Sequence, residues 1–100
     1  MQSATSVQGK NIRLPDERWA HIVEGHPEMA GHRKEVLLTI AAPDFVAGGA
    51  VGELLAARFI RPDKTLVVVY KEEKKDGFVM TAYFTTKVDK LQKRKILWKK

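Results

Sequence analysis

The chain has 100 residues, 44% hydrophobic and 30% charged, with no cysteine and a formal net charge of +6. That length allows one domain with one modest core and excludes two, and the missing cysteines exclude a disulfide framework. No apolar run approaches a membrane span and no secretory apolar stretch opens the chain, so a cytoplasmic protein without a membrane partner is expected.

Residues 1–10 are small and polar without periodicity, and are expected to be disordered or a vector-derived remnant. Residues 11–14 read as a short extended lead-in. Pro15 is pre-set for a first helical turn, and Asp16 and Glu17 complement its positive end, so a helix is expected over 15–24. Ile12, Leu14, Trp19, Ile22 and Val23 supply its apolar anchors. Gly25 can adopt the left-handed conformation that ends a helix, and Pro27 biases His26 away from the α region. A second helix is expected from about 28–31 to 41, with Val36, Leu37 and Ile40 as its stripe and Ala42-Pro43-Asp44 as its end. A short strand over 45–51 leads into Gly48-Gly49.

Strands are then expected over 53–60, 65–71 and 77–86, the first weakest because its Leu and Ala also suit a helix. Pro62-Asp63-Lys64 and Lys75-Asp76-Gly77 read as the connecting turns. Helices first and strands after, with short connections, predict an α+β fold of one domain over 11–87. Its expected form is two N-terminal helices on one face of a curved, roughly four-stranded antiparallel sheet. Residues 88–100 form a basic C-terminal segment, in which Leu91, Ile96 and Trp98 hint at a docked helix or strand.

The charge is concentrated there. Residues 1–86 carry eleven Lys/Arg against eleven Asp/Glu, whereas residues 87–100 carry seven Lys/Arg against Asp89 alone. A neutral body with a basic end suits nucleic acid or an acidic protein partner; a merely solubilising tail is the plainer alternative.

Alternation in the last strand places Phe78, Met80, Ala82 and Phe84 on a buried face and Val79, Thr81, Tyr83 and Thr85 on an open one. Either Tyr70 or Lys71 shares that open face, and Arg58 is expected to point into the same cleft. Ordinary cross-strand Thr/Tyr packing accounts for the same row of hydroxyls.

The segment 19–28 reads Trp-Ala-His-Ile-Val-Glu-Gly-His-Pro-Glu and places His21, Glu24, His26 and Glu28 together at a helix end. A histidine in an irregular corner beside carboxylates suits proton transfer or a phosphate contact; helix capping is the alternative. No metal site or cofactor is expected. His21 and His26 are five apart rather than the three or four that place two ligands on one helical face, and no cysteine is present.

Ile12-Arg13-Leu14 leading into Trp19-x-His21-Ile22, then His26-Pro27-Glu28, Ala42-Pro43-Asp44, a triple-valine strand and Thr81-Ala82-Tyr83 form a distinctive series. Over roughly residues 11–87 it resembles small bacterial and phage-associated domains of the barnase–EndoU–colicin–RelE superfamily of ribonucleases. The resemblance implies a helix pair followed by a four-stranded antiparallel sheet with the nuclease site on its open face. It also implies metal-independent RNA cleavage, often by a toxin restrained by an antitoxin.

Such cleavage requires removal of the 2′-hydroxyl proton, stabilisation of a phosphorane and protonation of the leaving 5′-oxygen. On this reading His26 is the acid/base residue, and His21 its partner or orienting neighbour. Tyr83 donates a hydrogen bond or stacks on a base, and Thr81 bonds a phosphate oxygen. Arg58, Lys71 and Thr85 complete the phosphate-binding candidates. The expected partners are RNA and an acidic antitoxin-like protein. Two other functions fit the same residues: a non-catalytic nucleic-acid-binding module, and a protein-interaction component of a toxin–antitoxin pair.

Overall fold

In a computed structural model, which describes residues 2–100, the chain runs β1 (Gln2–Thr5), β2 (Asn11–Leu14), α1 (Asp16–Gly25), a 3-10 turn (Pro27–Met29) and α2 (Arg33–Ala41). It continues β3 (Phe45–Gly48), β4 (Leu54–Arg61), β5 (Lys64–Glu72), β6 (Asp76–Thr85), α3 (Val88–Gln92) and β7 (Ile96–Lys99). The strands form one sheet in the order β1-β2-β6-β5-β4-β3-β7. Every pairing is antiparallel except β2 with β6.

The valine-rich β5 lies at the centre because both of its faces are apolar. Leu66, Val68 and Tyr70 meet Ile22, Met29, Val36 and Ile40 on the side of α1 and α2. Val67 points the other way, into a smaller cluster with Phe45, Ala47, Leu55, Ala57 and Leu91 of α3. Each buried Leu, Ile or Val contributes about 1.5–3 kcal/mol, so the sheet is held from both sides.

The expected fold needs correction. The sheet has seven strands and is mixed, not four-stranded and antiparallel, and the helices occupy both faces. Residues 2–5, expected to be disordered, pair with β2. The turn after them is fixed by Ser6, whose backbone N–H donates to Lys10 (2.8 Å) and whose hydroxyl donates to Glu72. An edge strand of this kind buries little, so its sequence lacks the apolar alternation that announces inner strands. The basic tail is also ordered: Leu91 seats α3, and β7 pairs with β3 while Trp98 packs against the main core.

Local geometry differs too. Between α1 and α2 the left-handed glycine is Gly31 (φ +83°), whereas Gly25 ends α1 without positive φ. The segment after His26 therefore forms a 3-10 turn before α2 begins at Arg33. Arg33 locks that start, donating to the Leu14 carbonyl and pairing with Asp16, both at 2.8 Å.

On β6 the strict alternation is broken. Val69 faces Thr81 but Tyr70 faces Val79, so Met80 is an extra, exposed residue in a β-bulge. Val79, Ala82 and Phe84 therefore face the main core, while Phe78 and Met80 leave the buried row expected for them. Thr81, Tyr83 and Thr85 keep the opposite face, and Lys71, not Tyr70, lies on their side.

Gly77 pairs with both Ile12 and Glu72, and a Cβ there would collide with the Lys71 carbonyl and lie 2.8 Å from the Ile12 side chain. Gly77→Ala is expected to destabilise the fold by about 3 kcal/mol in urea unfolding. Tyr70 is fully buried with an unpartnered hydroxyl, so Tyr70→Phe is expected to stabilise it by about 1 kcal/mol. Burial also raises the Tyr70 pKa in the folded state. Above about pH 10 the unfolded chain releases this proton first, so stability falls as pH rises. Tyr70→Phe should flatten that alkaline loss.

Candidate functional site

Because β2 is only four residues long, it pairs with β6 no further than Phe78. Beyond that point the edge of β6 is open, and the 3-10 turn packs there. Met29, fully buried, anchors the turn. The His26 backbone is tied at both ends: its N–H donates to Ile22 (2.7 Å), and its carbonyl accepts from Met29 (2.9 Å). The half-exposed imidazole is thereby stacked near Tyr83, with ring centroids 6.0 Å apart and planes at 29°. Its Nδ1 lies 3.5 Å from Glu28 Oε2. This is a loose, half-exposed contact rather than a hydrogen bond, and it leaves Nε2 unengaged.

The other side of Tyr83 borders a groove of about 200 Å³, between β6 and α3. Leu91 fixes α3 over the sheet, and Lys87, Lys90 and Arg94, spaced i, i+3 and i+7, line the groove with Thr85. The Lys87 N–H donates to Thr85 Oγ1 (3.0 Å), holding that wall in place. Burial raises the Tyr83 pKa, and Arg94 opposes the rise in part. The phenol therefore keeps its proton at neutral pH and acts as a donor. Tyr83 and three cations line this groove, and the His26 imidazole, outside its lining, reaches it only through the Tyr83 ring; together they are suited to an anionic ligand that exchanges protons.

The other expected residues divide. Thr81 and Thr85 flank Tyr83 on its own face, half-buried. His21 is exposed and lines a separate groove of about 350 Å³ with Arg13, Arg18 and Phe78. Four residues of β6, including the bulged Met80, lie between Phe78 and Tyr83, and His21 lines a groove that neither His26 nor Tyr83 enters, so the two histidines do not form one site. Lys71 is exposed and pairs with Phe78 rather than bordering the Tyr83 groove.

Arg58 lies on the opposite side of the sheet from that groove. Its Nε donates to Thr39 Oγ1 (3.0 Å) and its Nη2 to the Glu35 carbonyl (3.5 Å), joining α2 to β4. The cause is register: Arg58 pairs with Leu66, which faces the helices. Its expected place in the cleft is corrected to a structural one.

Lys87, Lys90 and Arg94 were visible in the sequence only as part of a charge excess. The spacing of Lys87, Lys90, Leu91 and Arg94 on one helical stripe was the signal that could have placed them. Among the described residues, no group of three His, Asp or Glu side chains is arranged to hold a metal ion, and no helix is long and apolar enough to cross a membrane. Comparison of the chain with protein-family models, curated proteins and solved structures gives no match.

Arg58→Met is expected to lower stability by about 1–2 kcal/mol, because the Thr39 hydroxyl loses its donor, while the Glu35 carbonyl keeps the Thr39 hydroxyl at 2.8 Å. Thermal unfolding reads that loss, and retention on a heparin column, which reads the basic groove, should not change.

Proposed function

We propose that the chain is a metal-independent endoribonuclease whose site is the Tyr83 groove. The observation that carries this reading is the position of one tyrosine between the His26 ring, stacked near it, and three cations. His26 Nε2 takes the proton from the RNA 2′-hydroxyl, and the freed oxygen attacks the neighbouring phosphorus. Lys87, Lys90 and Arg94 stabilise the charge that grows on the phosphorane oxygens, the largest electrostatic demand of the reaction. Tyr83, protonated at neutral pH as any phenol is and more firmly so through burial, gives its proton to the leaving 5′-oxygen, and exchange with water returns His26 and Tyr83 to their starting forms. The products are a 2′,3′-cyclic phosphate and a free 5′-hydroxyl, so no water is consumed in the first step.

The resemblance to the barnase–EndoU–colicin–RelE superfamily supports the same reaction through His26-Pro27-Glu28 and Thr81-Ala82-Tyr83, which the fold brings together at one edge of β6. Within this proposal His21 has no catalytic part, since it opens on another groove. A toxin-like role accompanies the activity, with an acidic antitoxin-like protein covering the cations. The cations on and flanking α3 also favour a second reading, a nucleic-acid-binding module without turnover. That reading gives no part to the His26 ring stacked near Tyr83.

Purified protein incubated with total RNA in excess EDTA should yield fragments ending in 2′,3′-cyclic phosphate. His26→Ala should lower kcat about 10²–10⁴-fold with its circular dichroism unchanged. Undiminished cleavage by that variant would remove His26 from the mechanism, and binding without product would favour the second reading. Tyr83→Phe should lower kcat more than it raises KM. Neutralising Lys87, Lys90 and Arg94 should reduce the slope of log affinity against log salt by about 0.7 for each phosphate that is no longer neutralised.

A further inference from the structure

A second groove, of about 420 Å³, lies where the β4–β5 turn approaches the end of β6. Thr85 and Lys87 line both this groove and the one beside Tyr83, so the two meet at the end of β6, with Phe84 and Lys64 on the helix side of the sheet and Tyr83 on the other. Arg61 and Lys64 supply its further cations, against Asp63 as its one carboxylate. Arg61 Nε is 3.2 Å from Asp63, but both side chains are more than half exposed. An ion pair so hydrated is weak, and the guanidinium remains available to a better acceptor.

Lys64 is placed by a different force. Its Nζ lies 4.1 Å from the centroid of the Phe84 ring, a cation–π contact that holds the ammonium at the groove wall with its donors free. The edge contact of His32 with the same ring, at 5.2 Å, leaves Phe84 engaged from two directions. The groove therefore presents cations and the hydroxyls of Thr85 and Thr86 rather than a stacking platform. That is the chemistry of a phosphate contact, which fixes position without reading a base.

We propose that this groove binds the phosphate next to the scissile one, so that the substrate is single-stranded RNA several nucleotides long, passing from Arg94 past Tyr83 and around the end of β6 to Arg61 and Lys64. The inference rests on the ribonuclease reading above. Thr85 follows Tyr83 by two residues on the same strand face, about 7 Å, a step suited to neighbouring phosphates of an extended strand. A single strand is also what in-line attack demands. The 2′-oxygen, phosphorus and 5′-oxygen must align, and a stacked duplex holds them out of line.

The test compares a dinucleoside monophosphate, whose only phosphate is scissile, with a hexanucleotide, for wild type and for Arg61→Gln/Lys64→Gln. Binding of a non-cleavable 2′-deoxy hexanucleotide is read in parallel by fluorescence anisotropy across salt concentrations. The double variant should lose about tenfold in kcat/KM on the hexanucleotide, through KM, and nothing on the dinucleoside monophosphate. Its salt slope should fall by about 0.7 for each phosphate left without a cation. Equal hexanucleotide kinetics and salt slope in variant and wild type would overturn the proposal, as would equal losses on both substrates. If wild type cleaves neither RNA, the ribonuclease reading fails. The deoxy oligomer then still decides the groove: weaker binding by the variant upholds it as a phosphate site, and unchanged binding removes it.

Discussion

The parallel contact between β2 and β6 at Ile12 and Gly77 is the constraint on which the remaining structure depends. It exists because Gly77 has no side chain where the Lys71 carbonyl and Ile12 press from two sides. This contact adds β1 and β2 to a sheet that two antiparallel hairpin turns would otherwise leave ending at β6. Since β2 stops after four residues, it also determines how much of the β6 edge stays uncovered. The 3-10 turn carrying His26 occupies that edge. The short strand and the placed histidine are therefore two results of one pairing.

The bulge at Met80 acts on the same strand. One extra residue restores the apolar side chains to the core after Phe78 has turned outward, and it leaves Thr81, Tyr83 and Thr85 in a row on the opposite face. Without it, either the start or the end of β6 would expose apolar side chains and bury polar ones. The proposed site lies downstream of the bulge, where core packing and an accessible hydroxyl face coexist.

Electrostatics complete the arrangement. The excess positive charge would be diffuse on a loose tail, but Leu91 and the β3–β7 pairing fold it back onto the sheet. Lys87, Lys90 and Arg94 are thereby concentrated beside Tyr83, while Arg61 and Lys64 extend the field around the end of β6. Arg58, chemically as suitable as any of these, is excluded from that field because β-strand alternation points it into the helices. Position in the register, not residue type, separates an arginine that lines the groove from one that ties helix to sheet.

The sequence by itself determined the parts that depend on near neighbours. Pro15 with its acids marked α1, the valine run marked β5, and alternation over Thr81, Tyr83 and Thr85 marked their common face. Gly25-His26-Pro27 marked an irregular corner. What only the tertiary structure decided were relations between distant segments: the parallel β2–β6 pairing, the Met80 bulge, the side taken by Arg58, and the separation of His21 from His26. Local propensity acts over a few residues, whereas strand register and sheet edges are fixed by which apolar surfaces can be buried together. His26 illustrates both. Its sequence predicts a histidine at a helix end, and only the free edge of β6 gives that histidine Tyr83 as its neighbour.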